Sequence, residues 1–353
     1  MDANNKSTFY EHEAREAFRR SRRIQPDRIR RAKVSLCQLL EPVDQALSRL
    51  DPADQEAARE SFDWEPLRVL EARESSLDRS VKMVLECRDG ARIETVLIQA
   101  ETPRTSVCVS TQVGCRAGCT FCATARMGLM RNLTASEITE QIRLAGQRSL
   151  QGNRRLRNVV FMGMGEPLHN EQNLYQAIDW LIDPQLFALP HRKVTVSTVG
   201  IPDAMRRLVE RYPGIQIALS LHSAKPDLRA KLVPWTRQTD WQELRETVQW
   251  IAKQPRLHRH QGPIMIEYIM IQGVNDSLDD AQALLDYLEG AFCIINLIPY
   301  NAISFAPNWQ PTPRPDRERF ANYLRDAGIF TTIRYSMGSD VQAACGQLVQ
   351  SID

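Results

Sequence analysis

From residue 106 onward the chain alternates strand-like and helix-like runs, and nothing else in the sequence limits its fold as strongly. Runs rich in β-branched and apolar residues cover Ser106–Ser110, Asn158–Gly163, Val194–Thr198, Ile215–Leu221, Ile264–Ile271, Cys293–Tyr300 and Thr331–Tyr335. Between them lie runs of helical periodicity at Ala135–Arg148, Glu171–Ile182, Pro202–Arg211, Trp241–Lys253, Leu278–Leu288 and Pro315–Ala327. The first opens on Thr134-Ala-Ser-Glu137, a capping box. Such alternation predicts a parallel sheet with helices outside. Six strand–helix units predict an α/β fold built as a partial (β/α)6 TIM-like barrel rather than a closed eight-fold one. Chemistry in such folds sits at the C-terminal ends of the strands and on the loops that follow.

The loop after the first of these strands carries Cys115, Cys119 and Cys122, a Cys-x3-Cys-x2-Cys spacing with no fourth cysteine nearby. Thiolates are the usual protein ligands of iron–sulfur clusters, and a [4Fe–4S] cube takes four. Three would leave one iron open to a substrate or cofactor, as catalytic metal sites keep a position free. The alternatives are a zinc knuckle or three ordinary buried thiols. A structural zinc site wants four ligands, usually in paired clusters, and no second Cys-x2-Cys or His-x3-His follows.

Ahead of the barrel, residues 1–80 read as a small, mainly helical accessory region, with Leu39, Leu40, Val43, Leu47 and Leu50 at helical spacing. Its first 35 residues hold ten Lys/Arg against five Asp/Glu. A basic segment can neutralise phosphates of RNA, or it can be a solvated helix face. Residues 81–100 read as a β-hairpin turning at Asp89-Gly90. The core is expected over 101–340, and 341–353 forms a loop bearing Cys345. Formal net charge is only +2, so the whole chain announces no polyanionic partner. No apolar run approaches the ~20 residues a membrane span needs, and the first residues lack the apolar core of a secretory leader. Eight cysteines without such a leader point to ligating or reactive thiols in a reducing cytoplasm.

Other polar groups recur at strand ends. Gly163-Met-Gly165-Glu166 offers close backbone approach and a carboxylate suited to an amino group. Ser197 ends the third strand, Ser220-Leu221-His222 the fourth, and Asn301 follows the sixth. Cys345 lies on a small-residue loop past the last strand, where a thiol can act as a nucleophile. Cys108 lies in the strand leading to the cluster loop, and two converging thiols can exchange with a disulfide.

The triad with Phe121 resembles the signature of radical S-adenosylmethionine (SAM) enzymes, and Gly163-Met-Gly165-Glu166 resembles their SAM amino-group element. Cys108-Val-Ser-Thr-Gln-Val-Gly-Cys115, Met162-Gly-Met-Gly-Glu-Pro-Leu168, Ser220-Leu-His222, Asn296-Leu-Ile-Pro-Tyr-Asn301 and Ala343-Ala-Cys-Gly-Gln-Leu348 together resemble the RlmN/Cfr family of radical SAM RNA adenine methyltransferases. The resemblance implies that Cys115, Cys119 and Cys122 hold a [4Fe–4S] cluster. It implies that Gly165, Glu166, Ser197, Ser220, Leu221, His222 and Asn301 bind SAM. It makes Cys345 the methyl-carrying residue, Cys108 its transient disulfide partner and Glu94 the proton acceptor. The implied substrate is an adenine of 23S rRNA, in some members also of tRNA, methylated at carbon 2 or carbon 8. The implied electron donor is a flavodoxin or ferredoxin. The N-terminal region departs from the family's accessory domain, and the Gly338-Ser-Asp340 form is closer to the carbon-8 branch. A radical SAM enzyme with a non-RNA substrate is the competing reading; paired Cys108 and Cys345 speak against it. A cluster-based electron carrier or zinc-stabilised RNA binder is a third, and the missing fourth ligand speaks against that.

Overall fold

The computed structural model describes residues 6–99, 104–254, 264–303, 308–334 and 336–348. Its centre is a ten-stranded sheet. Three antiparallel strands, β1 (Leu67–Glu74), β2 (Val81–Cys87) and β3 (Arg92–Gln99), lead into β4 (Arg104–Cys108). A separate two-stranded ribbon follows, made of β5 (Gln112–Gly114) and β6 (Leu129–Asn132). The large sheet then continues through β7 (Arg155–Phe161), β8 (Val194–Thr198), β9 (Gln216–Ser220), β10 (Ile264–Met270), β11 (Cys293–Pro299) and β12 (Phe330–Ile333). Strand order is β1-β2-β3-β4-β7-β8-β9-β10-β11-β12, and every neighbour pair from β4 onward is parallel. Helices Ala135–Gln151, Glu171–Ile182, Pro202–Arg211, Trp241–Lys253, Leu278–Leu288 and Arg314–Asp326 make the six crossovers. This is the expected partial barrel. Its central strands are apolar on both faces, as sheets covered on each side must be: six of the seven residues of β10 are buried.

The capping box forms, with the Thr134 side chain accepting from Glu137 N and the Glu137 side chain returning to Thr134 N. The Asp89-Gly90 hairpin forms too. Four elements depart from the sequence reading. Residues 1–80 read as mainly helical, but residues 67–74 form the edge strand β1. Its Arg68, Glu71, Arg73 and Glu74 are solvent-facing or half-buried, so it shows little apolar alternation. The helical spacing around Leu39 breaks at Leu40, whose φ of 54° is left-handed; Leu39 is then left exposed. A short helix, Pro226–Leu232, and the β5–β6 ribbon were not anticipated; both are too short for periodicity to reveal.

The N-terminal helices pack on the barrel rather than standing apart. Phe9 stacks on Trp64 at 4.6 Å and meets Phe62 edge-on at 5.3 Å, and Tyr10 reaches Trp180 at 5.3 Å. Half of the basic run there is paired with carboxylates within the fold. Arg19 pairs with Glu16, Arg22 with Asp54, Arg28 with Asp51, and Arg30 and Arg31 with Asp27. Two of those acids come from outside the first 35 residues, which a local charge sum misses. Among the described residues no helix is long and apolar enough to cross a membrane.

Candidate active site

The β5–β6 ribbon frames the cysteine loop. Cys115 N donates to Gly128 O at 2.9 Å, closing the loop at its base. Gly114 there has φ +77°, and a Cβ on it would fall 1.8 Å from Gly128 O, so only glycine lets the ribbon close. On the far side Thr120 N donates to Leu232 O at 2.9 Å and Trp235 N to Ala117 O at 3.1 Å. The unanticipated Pro226–Leu232 helix is therefore the outer support of the loop. Cys115 is buried, while Cys119 and Cys122 are half-buried.

All three thiols line one cavity of about 150 Å³ at the C-terminal mouth of the barrel. Burial pushes the Cys119 thiol well up, and its neighbours Cys122 and Cys115 add to the shift; three like-charged thiolates need a cation between them. Among the described residues no three Cys, His, Asp or Glu side chains converge as the ligands of a single ion do. In a four-iron cluster each thiolate takes its own iron, so three spaced thiols on one cavity suit that group.

Gly163, Gly165, Glu166, Ser197, Ser220 and His222 line the same cavity. Gly165 has φ +99°, and its Cβ would lie 2.5 Å from the Gln112 side chain. Glu166 is buried, with Oε2 accepting from Val199 N at 2.8 Å and Oε1 from Leu168 N at 3.0 Å. Burial pushes its carboxyl up to about 7, with those backbone donors opposing. Ser197 and Ser220 hydroxyls are 3.2 Å apart. His222 holds a left-handed φ of 61°, a strained backbone for a non-glycine that its surroundings must enforce. Asn275 Nδ2 donates to His222 O at 2.8 Å, and Ile269 N donates to His222 Nδ1 at 3.1 Å. The ring proton therefore sits on Nε2. Burial, helped by Arg229, pulls the His222 pKa down to about 3, so the ring stays neutral.

Cys345 reaches this cavity from the opposite end of the chain. Its loop is latched from three sides. Asp340 accepts from Ser75 Oγ at 2.6 Å and from Ser76 N at 2.9 Å, and Gly338 N donates to Asp78 at 2.6 Å. Asn301 Nδ2 donates to Cys345 O at 3.1 Å. Ala123 N, just past Cys122, donates to Gly346 O at 2.7 Å, and Thr124 Oγ1 donates to Leu348 O at 2.6 Å. Cys108 lies behind the cavity wall as a neighbour of Cys345. Cys108 is buried and Cys345 keeps an exposed face; the protein around each sulfur raises both thiols, Cys345 adds to the rise at Cys108, and the Arg334 cation opposes it at both. All cysteines, these two included, are free thiols in this structure.

Glu94 does not line the cavity. It is fully buried on β3, where Lys82 Nζ stands 3.2 Å from Oε1. Val96 pairs with Cys108 across β3 and β4, so Glu94, two residues away, shares the face of Cys108. Leu221 has its side chain in the core, and its backbone N–H donates to Glu267 O. Asn301 holds the Cys345 loop rather than lining the cavity. The sequence reading missed two charged lining residues, Glu267 and Arg334. A signal for the first existed: Glu267 is the one charge in the apolar run Ile264–Ile271, and a buried charge needs a partner or a purpose.

Similarity to known proteins points to one family. A family model described as the radical SAM superfamily matches residues 109–288. A probable RNA methyltransferase of Rhodopirellula baltica is 41% identical over 97% of this chain and 87% of its own length. A probable dual-specificity RNA methyltransferase RlmN of Thermus thermophilus is 42% identical over 78% of this chain and 76% of its own. The crystal structure of a radical SAM methyltransferase from Sphaerobacter thermophilus superposes with a TM-score of 0.89 at 34% identity, covering 97% of this chain and 99% of that one.

Proposed function

The chain belongs to the radical SAM superfamily and, within it, to the RNA methyltransferases related to RlmN, and from that premise we propose that it methylates a ring carbon of adenine through an S-methyl group carried on Cys345. The substrate is an adenine of 23S rRNA, at carbon 2 or carbon 8, with tRNA as a second substrate. Carrying this reading is the arrival of Cys345 at the cavity lined by Cys115, Cys119 and Cys122; a SAM enzyme without a thiol relay has no need of that loop.

When bound, the cluster and SAM supply the methyl group and the one-electron chemistry that activates it. Cys115, Cys119 and Cys122 would hold the cluster. Glu166, Ser197, Ser220 and the His222 Nε2–H would orient SAM, and the backbone at Gly165 and Leu221 would border it. A ring carbon of adenine is electron-poor, so direct methyl transfer to it is unfavourable; a methyl group first parked on sulfur can be delivered as a carbon radical. The radical addition leaves an odd electron, which returns to the one-electron carrier as Glu94 or a neighbouring thiolate takes the displaced ring proton and the ring regains its aromaticity. The Cys108 thiolate then attacks the Cys345 sulfur: the S–S bond forms, the S–CH2 bond to the base breaks, the freed carbon takes a proton to become the methyl group, and an external thiol reductant later reopens the disulfide. The target base must leave its stack to enter such a cavity. A flavodoxin or ferredoxin supplies electrons, in the cytoplasm.

The test uses anaerobically reconstituted enzyme with reductant, SAM labelled in its methyl group, and a protein-free 23S rRNA fragment or tRNA. Mass spectrometry of the digested RNA is expected to show labelled methyladenosine that vanishes in Cys345→Ala, and chromatography assigns the carbon. SAM cleavage to 5′-deoxyadenosine with no methylation of either RNA would overturn the RNA assignment.

A further inference from the structure

One row of polar side chains crosses the barrel where apolar residues are expected. Parallel register aligns Ser220 of β9 with Glu267 of β10, Glu267 with Asn296 of β11, and Asn296 with Thr332 of β12. Aligned residues of parallel strands share a face, so the row is continuous. Its bonds run in one sense: Thr332 Oγ1 donates to Asn296 Oδ1 at 2.5 Å, and Asn296 Nδ2 donates to Glu267 Oε1 at 3.0 Å. Arg334 Nη2 adds an ion pair to the same Oε1 at 3.2 Å. Glu267 Oε2 has no partner among the described residues, although Glu267 is only 3% exposed and lines the cavity.

A buried carboxylate oxygen without a donor is costly, and here everything that holds Glu267 holds the other oxygen. The arrangement fixes the carboxylate and leaves Oε2 to a hydrogen-bond donor brought by a ligand. The proposed reaction brings donors from two sources: SAM, through its ribose hydroxyls and its amines, and the target adenine, through its exocyclic amine. Position favours the target base. Glu267 and Arg334 are both electrostatic neighbours of Cys345, and Arg334 is also a neighbour of Cys108. The amine belongs to the ring that Cys345 must reach.

We propose that Glu267, held by Arg334 and Asn296, reads the exocyclic amine of the target adenine through Oε2 and so selects adenine over other purines. Guanine presents a carbonyl oxygen at the same ring position, and its lone pairs would face a carboxylate that only accepts while ionised; burial raises the Glu267 pKa, and Arg334 and Asn296 oppose that rise and favour the ionised form. A purine lacking the substituent leaves Oε2 unpaired. Arg334 is a positioning residue in this scheme.

The inference rests on the RNA methylation reading, and its test separates the two. Once the modified adenosine is located, two RNA fragments are compared, one with adenosine and one with unsubstituted purine riboside at that position. Wild-type enzyme is expected to prefer adenosine by about tenfold to a hundredfold in kcat/KM, the range of one hydrogen bond to a charged group. In Glu267→Ala the preference should fall several-fold or more, with iron content and 5′-deoxyadenosine formation retained. Intrinsic ring reactivity is common to both enzymes and cancels in that ratio. Glu267→Gln keeps the shape and one acceptor oxygen, and is expected to retain an intermediate preference; it carries the test if the alanine variant does not fold. An unchanged preference in the variants overturns the inference, and a loss confined to SAM cleavage assigns Oε2 to SAM instead. If wild-type enzyme cleaves SAM but methylates no RNA, the RNA reading falls and this inference with it.

Discussion

Two loops bring thiols to one cavity, and they are held in opposite ways. The Cys115–Cys122 loop has a local frame at its base, a ribbon whose strands flank it, a glycine that lets the ribbon close and one turn of the following helix, and leans on the distant residues 232–235 only at its outer side. The Cys345 loop is held by partners far away in sequence, with Ser75 to Asp340 spanning 265 residues. A locally framed loop shows its purpose in spacing. A loop framed at long range shows only its composition.

The sharpest way to break that comparison is to remove one thiol from each loop. Cys119→Ala should lose cluster iron and, with it, both 5′-deoxyadenosine and methylated RNA, a fall of about three orders of magnitude or more in each, the scale of losing a central catalytic group. Cys345→Ala should keep its iron and lose only methylation. Iron analysis beside product analysis checks this, and loss of iron in both variants would mean the loops are not separable.

Next in size is the wall that Cys108 shares. Lys82 and Glu94 form a buried pair, and removing one partner leaves an unpaired charge. Lys82→Met is expected to cost about 3–5 kcal/mol, read by denaturant unfolding, with cluster content intact in the folded fraction.

A smaller effect comes from Glu166. Its folded pKa of about 7 lies above its ordinary value, because burial opposes ionisation. The unfolded chain therefore gives up this proton first as pH rises. Stability falls between pH about 4.5 and about 7, by up to roughly 3 kcal/mol, and is level beyond. Glu166→Gln should lack that descent in a pH series of unfolding curves on cluster-free protein; a descent of equal size in both proteins would assign it elsewhere.

The smallest prediction concerns the latch. Asp340→Ala should speed hydrogen exchange in residues 338–346 and slow methylation several-fold while leaving 5′-deoxyadenosine formation alone. A matching change at 115–122 would show that the latch serves both loops.

What the sequence made legible follows the same division. The parallel barrel was readable because each strand and helix carries its own period, and Thr134 with Glu137 marks a helix start within four residues. The thiol triad was readable because its ligands are neighbours. By contrast β1 reads as charged because an edge strand may wet both faces, and the five basic residues paired with Asp27, Asp51, Asp54 and Glu16 look like a free cationic face when counted alone. Glu267 lies on β10 and Arg334 just past the end of β12, and they meet only through sheet register, so no spacing announces them. Leu221 and Asn301 sit at strand ends as expected, yet their side chains go to the core and to the Cys345 carbonyl. Strand position fixes where a residue stands, and packing decides which way it points.

The clasp between Asp340 and the Ser75–Ser76 turn also sets an order of events during synthesis. Domains form as the chain emerges, earlier segments first. The turn is made 265 residues before its partner, so the barrel mouth stays open while every strand through β12 is being added. The Cys345 thiol is thus placed late, after the cavity it borders has been built.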